Sequence, residues 1–263
     1  MVLGCTYLVG SKGIMPGDQG RSARRRVWRI MGLMRRWQTI RAALLERHVH
    51  EEAYAALLLG GSYEEAGDRG RFRVKAGDVV FHEPFEAHLD RFPQSGAVVL
   101  NLRLPDALRV TGGIARVEDL DAVVRAAEKN CKEAVELICC SAMVEERVRT
   151  VDWPDALAAA QLTNPSLRLS RWGQENGIAP WALSRGFFLV FGISPEAFRA
   201  RVRARQAFHA IRDTQESLSG IAAELGFADQ SHMTRSVKLL TGTVPQAWRR
   251  AANGFKTGSR LVV

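Results

Sequence analysis

Leu218-Ser219-Gly220-Ile221-Ala222-Ala223-Glu224-Leu225-Gly226-Phe227-Ala228-Asp229-Gln230-Ser231-His232-Met233-Thr234-Arg235 is the stretch that decides how the last third of the chain folds. Leu218, Ile221, Ala222 and Leu225 fall at i, i+3, i+4 and i+7, one apolar stripe on a helix. Gly226 supplies the left-handed position that ends a helix cheaply. A second helix restarts near Asp229, with Met233, Val237 and Leu240 inward and Ser231, Thr234, Arg235 and Lys238 outward, and closes at Thr241-Gly242. Two helices joined by a short turn containing Gly form a helix-turn-helix, whose second helix can enter a major groove.

The same unit occurs once more, about fifty residues upstream. Ala182-Leu183-Ser184-Arg185 overlies His232-Met233-Thr234-Arg235, Gly192-Ile193-Ser194-Pro195 overlies Gly242-Thr243-Val244-Pro245, and Phe198-Arg199 overlies Trp248-Arg249. Leu169, Trp172, Glu175 and Gly177 fall on Leu218, Ile221, Glu224 and Gly226 with an offset shorter by one, the slip expected of a residue added in a turn. Pro180 stands near N1 of the first unit's second helix, whose outward residues are Trp181, Ser184, Arg185 and Phe188. Leu183, Phe187, Ile221, Leu225, Phe227, Met233 and Leu240 are the expected cores beneath the two units. Ser194 to Arg212 reads as one helix bridging them, and its roughly 18 residues span about 27 Å. That length lets the two second helices sit about one DNA turn apart on one face of a duplex.

Residues from about 152 to 250 resemble the DNA-binding domain of AraC/XylS-type transcription regulators. The resemblance rests on Ile221 to Arg235, on Leu240-Thr241-Gly242-Thr243-Val244-Pro245-Gln246-Ala247-Trp248-Arg249, and on Gly192-Ile193-Ser194-Pro195-Glu196-Ala197-Phe198 at the first junction. It implies that Trp181, Ser184 and Arg185 in the first unit, and Gln230, Ser231, Thr234, Arg235 and Lys238 in the second, face promoter DNA. Three positions depart from the family's pattern. Ala179 and Ala228 stand where a Ser-type N-cap is common, a loss of about 1 kcal/mol each, and Gly186 sits inside the first recognition helix, at up to about 1 kcal/mol. These departures make the first unit the softer reader.

Charge divides the chain in the same place. Residues 166–250 carry 12 Lys/Arg against 6 Asp/Glu, whereas 42–165 carry 14 against 21. A basic C-terminal unit beside an acidic middle suits one DNA-facing domain and one that avoids DNA. The four cysteines show neither metal spacing nor a disulfide framework and read as reduced, cytoplasmic thiols. No apolar run reaches the roughly 18 residues of a membrane span, and Met1 to Gly20 lacks the order of a signal peptide. Residues 1–38 are expected to form a basic, disordered tail. Its arginines (Arg24, Arg25, Arg26, Arg29, Arg35, Arg36) fit a DNA- or membrane-touching arm, a solvated tail, or a start site placed ahead of Met31 or Met34.

From about Thr39 the pattern changes to short segments of period two. Glu46 to His50 alternates, Tyr54 to Leu59 is an apolar run ending at Gly60-Gly61-Ser62, and Arg71 to Val74 stops at Ala76-Gly77-Asp78. Val79 to His82 and Ala97 to Leu102 complete the set, with Pro84 interrupting. Many short strands with Gly turns indicate a sandwich or barrel. The order His48-x-His50, Gly60, Gly77-Asp78, Pro84 and His88 resembles a cupin barrel, a common effector-sensing partner of such DNA-binding domains. Period two puts His48 and His50 on one strand face. His48, His50, Tyr54, His82 and His88 can then share one interior, His82 only if Val80 is also inward. An effector pocket, plain packing and a metal site are the three readings of this set. The acidic residue that metal-binding cupins place after the His pair is absent, Glu51 and Glu52 come early, and no metal and no cofactor are assigned.

Val117 to Val148 reads as helical, with Leu120, Val123, Val124, Ala127, Cys131, Ala134, Val135 and Ile138 as its stripe. It either packs on its own barrel or mediates dimerisation. Asp152-Trp153-Pro154-Asp155 reads as a helix cap and first turn, so the boundary falls near 150. The expected fold is therefore an α+β multidomain chain: a cupin-like β-barrel with a helical bundle segment over 39–150, an all-α domain with two helix-turn-helix units over 151–252, and a tail over 253–263. The expected function is a cytoplasmic, sequence-specific DNA-binding transcription regulator, without catalysis, responsive to a small-molecule effector and partnered by RNA polymerase and a second copy of itself. Its rivals are a cupin metalloenzyme fused to a DNA-binding domain and a nonspecific architectural DNA binder.

Overall fold

Period-two alternation makes the first half strands, and 3.6-residue stripes make the second half helices. The structure, a computed structural model, describes residues 29–30, 36–105, 108, 113–141, 143–144, 152–164 and 166–255. The strands are β1 Arg29–Ile30, β2 Trp37–Ile40, β3 Ala43–Val49, β4 Tyr54–Gly67, β5 Gly70–Lys75, β6 Asp78–His82, β7 Ala87–Phe92, β8 Ala97–Arg103, β9 Gly113–Arg116 and β10 Met143–Val144. The helices are α1 Leu120–Lys129, α2 Cys131–Ser141, α3 Trp153–Thr163, α4 Leu169–Glu175, α5 Pro180–Phe191, α6 Pro195–Asp213, α7 Leu218–Glu224, α8 Gln230–Thr241 and α9 Pro245–Phe255.

The described strands run β1-β3-β7-β4-β6-β9-β10, with β2 and β5 on side branches through β8 and β4, and the sheet does not close into the expected barrel. The two layers meet in β4. Its first half pairs with β6 and β8, and its second half pairs with β5 and β7, so one long strand joins two layers. Gly60-Gly61, expected to end the strand, instead carries a register shift between Leu58 and Gly60 and lets the chain continue. Gly61 adopts φ +79°, and a Cβ there would stand 2.1 Å from the Gly96 carbonyl oxygen, so only glycine fits.

The sheet also starts before residue 39. Arg29–Ile30 pairs with β3, and Trp37 and Gln38 pair with Leu100 and Val99. Arg36 donates to the Ala127 carbonyl at 3.1 Å, whereas Arg24, Arg25, Arg26 and Arg35 lie outside the described residues. Alternate residues of β4 serve two cores. Ala55 and Leu57 join Phe81, Leu100 and Leu102 beneath α1 and α2, and Tyr54, Ala56 and Leu58 join Val80, Val99 and Tyr63. The helical segment thus packs on its own sheet. It is also shorter than expected: Asn130 breaks it, its side chain accepting the Lys132 N–H at 3.0 Å, and Met143–Val144 pairs with β9 instead of extending the helix.

In the C-terminal half Asp152 caps α3, as its sequence position implies. Trp172, Leu183, Phe187, Phe191, Phe198 and Val202 form the core of the first unit. Ile221, Ala222, Phe227, Met233 and Val237 form that of the second, closed by Ala207 and Ile211 from α6. Leu225, expected in the core, is only partly buried because it is the residue that ends α7. Asn253 to Phe255, expected in the tail, continue α9.

Candidate DNA-reading face and histidine cluster

The two recognition helices are built alike at their C-termini and differently at their N-termini. Gly192 and Gly242 end α5 and α8 in the left-handed conformation. Asp229 caps α8, accepting the His232 N–H at 2.6 Å, so the expected cap deficit at Ala228 does not exist. Ala179 begins α5 with no side-chain cap, as expected for the first unit. Gly186 has a packing reason that the sequence concealed: a Cβ there would meet Trp153 Cζ2 of α3 at 2.3 Å. Trp181 (72% exposed), Ser184 and Arg185 stand in solvent on α5, and Gln230, Ser231, Arg235 and Lys238 do so on α8. Thr234 is half-buried. The inward residues between them, Leu183, Phe187, Met233 and Val237, are buried, so each helix divides cleanly into a packed and a free face.

All five sequence-predicted pocket residues meet in one cluster. β3 pairs with β7 so that His48 faces His88, and β4 pairs with β6 so that Tyr54 faces His82. Val80 shares a core with Tyr54, the parity that His82 requires. His48 and His88 rings lie 4.2 Å apart, Tyr54 stacks on His82 at 4.3 Å, and His50 stands edge-on to Tyr54 at 4.9 Å. The Tyr54 hydroxyl is 2.9 Å from His88 Nε2, whose Nδ1 is 2.9 Å from Asp90 Oδ1. His48 Nδ1 lies 2.9 Å from the Glu46 carbonyl.

Two members of the cluster were missed. Glu65 follows the Gly60-Gly61 pair mistaken for a strand end. Asp90 was legible in principle, since it shares a strand face with His88 two residues away. Burial, then the neighbouring His88, pushes His48 down to about 4 and His50 down to about 3. Burial also holds His82 well below its usual value. His88 goes the other way: burial opposes its charge, but Asp90 and Glu65 outweigh that and raise it to about 9. Burial lifts Glu65 to about 8 against the pull of His88. The cluster therefore holds one favoured cation among neutral imidazoles. The donor atoms of His48, His50 and His88 lie within 4.8 Å of one another, as do those of Glu65, His88 and Asp90, close enough for either set to hold a divalent ion.

Residues 172–251 match a family described as a helix-turn-helix domain. The virulence regulon transcriptional activator VirF of Yersinia enterocolitica is 30% identical over 99 residues, 32% of this chain and 36% of that protein. The thermoregulatory protein LcrF of Yersinia pestis matches to the same extent. The chain thus spans about a third of the length of these curated relatives. The structure of ToxT from Vibrio cholerae with unsaturated fatty acid bound is 12% identical, over 81% of this chain and 94% of that one, with a TM-score of 0.37. With two consecutive units, matched recognition helices and this match, residues 172–251 form a helix-turn-helix domain similar to those of AraC/XylS-type regulators.

Proposed function

We propose that the protein is a sequence-specific DNA-binding transcription regulator that reads two adjacent major-groove segments and responds to an effector held by its N-terminal domain. One observation supports this above the rest: α8 frees a polar, cationic face and α5 a mixed one with Trp181, Ser184 and Arg185, each burying the opposite face, and a single 19-residue helix, α6, joins them. At about 1.5 Å per residue α6 spans about 28 Å, a length that suits successive grooves on one face of a duplex. Trp181, Ser184, Arg185, Gln230, Ser231, Thr234, Arg235 and Lys238 are the DNA contacts in this reading. Arg pairs in bidentate fashion with guanine and Gln with adenine. His48, His50, Tyr54, His82 and His88 line the effector site. Promoter DNA, RNA polymerase and a second copy are the partners, the compartment is the cytoplasm, and the protein catalyses no reaction. Among the described residues no helix is long and apolar enough to cross a membrane.

Footprinting of the full chain on the promoters flanking its own gene tests the reading, with two protected major-groove segments about one turn apart as the expected result. Equal affinity for random and promoter DNA at every salt concentration refutes it, because phosphate contacts carry no sequence information. The convergent donors of His48, His50 and His88 favour one second reading, a metal-dependent N-terminal domain. Stoichiometric metal in the purified protein, lost in His48→Ala and His50→Ala, would establish it.

A further inference from the structure

Residues Glu83-Pro84-Phe85-Glu86 connect β6 to β7, and both strand ends belong to the histidine cluster: His82 immediately precedes the loop, and His88 follows it by two residues. Three of its four side chains reach the C-terminal domain. Glu83 accepts from Arg205 of α6 at 2.7 Å and lies 3.2 Å from His209. Glu86 lies 3.8 Å from Arg205. The Phe85 ring stands edge-on to Phe208 of α6 at 5.3 Å and to Trp248 of α9 at 5.9 Å.

Phe85 is also tied to the cluster through its backbone. Its N–H donates to the His50 carbonyl at 2.8 Å, and its own carbonyl accepts from Arg201 of α6. It is the only non-glycine with positive φ among the described residues, at +60°. A bulky side chain keeps that conformation only where its surroundings over-determine it. Here the surroundings are His50 of the histidine cluster on one side and the bridging helix on the other. Beside the loop, Asp68 receives Arg201 Nε at 2.8 Å and the N–H of Ala87, the neighbour of His88, at 3.0 Å.

We propose that loop 83–86 is the regulatory linkage of the molecule: a strained lever that converts a shift of the His50, His82 and His88 strand ends into a shift of α6 and α9, and so resets the placement of the two recognition helices. This inference rests on the functional reading above. The recognition faces stay exposed in this arrangement, so the lever acts on their relative orientation and leaves them uncovered. An ordinary domain contact, by comparison, gives the pocket and the helices independent responses.

A double-mutant cycle in the full chain separates the two cases. The pocket is perturbed by Tyr54→Phe, which removes the hydroxyl bonded to His88, and by His50→Ala. The lever is cut by Phe85→Ala or, should that variant fail to fold, by Glu83→Gln with Glu86→Gln. Affinity for the footprinted site is one readout, and hydrogen exchange of residues 195–213 and 245–255 without DNA is the other. The pocket variants are expected to change affinity at least about 5-fold in the parent and less than about 2-fold once the lever is cut. Their exchange signature in α6 and α9 should vanish with it. Equal pocket effects with and without the lever overturn the proposal, as do pocket variants that leave both readouts at the parent's values. A chain with no specific DNA site refutes the functional reading instead, and exchange still decides the linkage.

Discussion

Asp68→Asn should be among the most destabilising single changes in this chain. Asp68 is 0% exposed and its carboxylate takes Arg47, Arg201 and the Ala87 N–H, with Arg205 at 3.7 Å. Burial alone would raise its pKa, yet Arg201, Arg47 and Arg205 hold it at about 2 against an ordinary 3.8. That depression corresponds to about 2 kcal/mol of stability at neutral pH. The substitution does more than remove this, because it leaves Arg47 and Arg201 buried without their counter-ion, and breaking one side of a buried pair costs about 3–5 kcal/mol. The second figure governs. At about 2–4 °C per kcal/mol for a chain of this size, the midpoint should fall by roughly 10 °C in circular-dichroism melts. The loss should persist at high salt, since buried charges are little screened. Glu64→Gln is the contrast: its partner Arg91, at 3.2 Å, is partly solvated, and the loss should stay below about 1 kcal/mol. The sign with pH follows from the depressed pKa. The contribution is present above about pH 4 and is lost as pH falls towards 2, a drop that the Asn variant should lack. An Asp68→Asn midpoint within about 2 °C of the parent, or a loss that disappears in salt, refutes the reasoning.

Three other outcomes are expected. Arg235→Ala should cost about 1–3 kcal/mol of binding and relax preference at one base pair; equal weakening on all sequences in competition assays would make Arg235 a phosphate contact. Ile221→Ala, at a fully buried position, should lose about 2–5 kcal/mol of stability, and an unchanged melting temperature would contradict the packing of α7. His48 and His50 have folded pKa values depressed to about 4 and 3, so the unfolded chain binds protons the fold rejects and stability should decline as pH drops below 6.5. His88, raised to about 9, contributes the opposite way, with stability present below 6.5 and lost as pH rises through 9. Melting His48→Ala between pH 4 and 7 checks the first half, and a slope equal to the parent's counts against it.

Much of this chain was legible without coordinates, and the part that was not has a common cause. Helical stripes such as Leu218, Ile221, Ala222 are local, since a helix closes its own hydrogen bonds within four residues. The element order of residues 152–242 and the outward residues of α5 and α8 could therefore be read from spacing alone. Strand parity is local too, and it put His48 and His50 on one face, while His82 depended on whether Val80 also turned inward. Pairing is not local. Only the tertiary structure shows that β4 passes from one layer to the other through Gly60-Gly61, which carries Glu65 inward. The reason for Gly186 lies in α3, through Trp153. The grip of Asp68 on Arg201 joins residues 133 apart in the sequence, and that of Phe85 on the same side chain joins residues 116 apart. Charge and hydropathy set which residues seek burial or a partner, but which partner each one finds depends on long-range packing that no local pattern encodes.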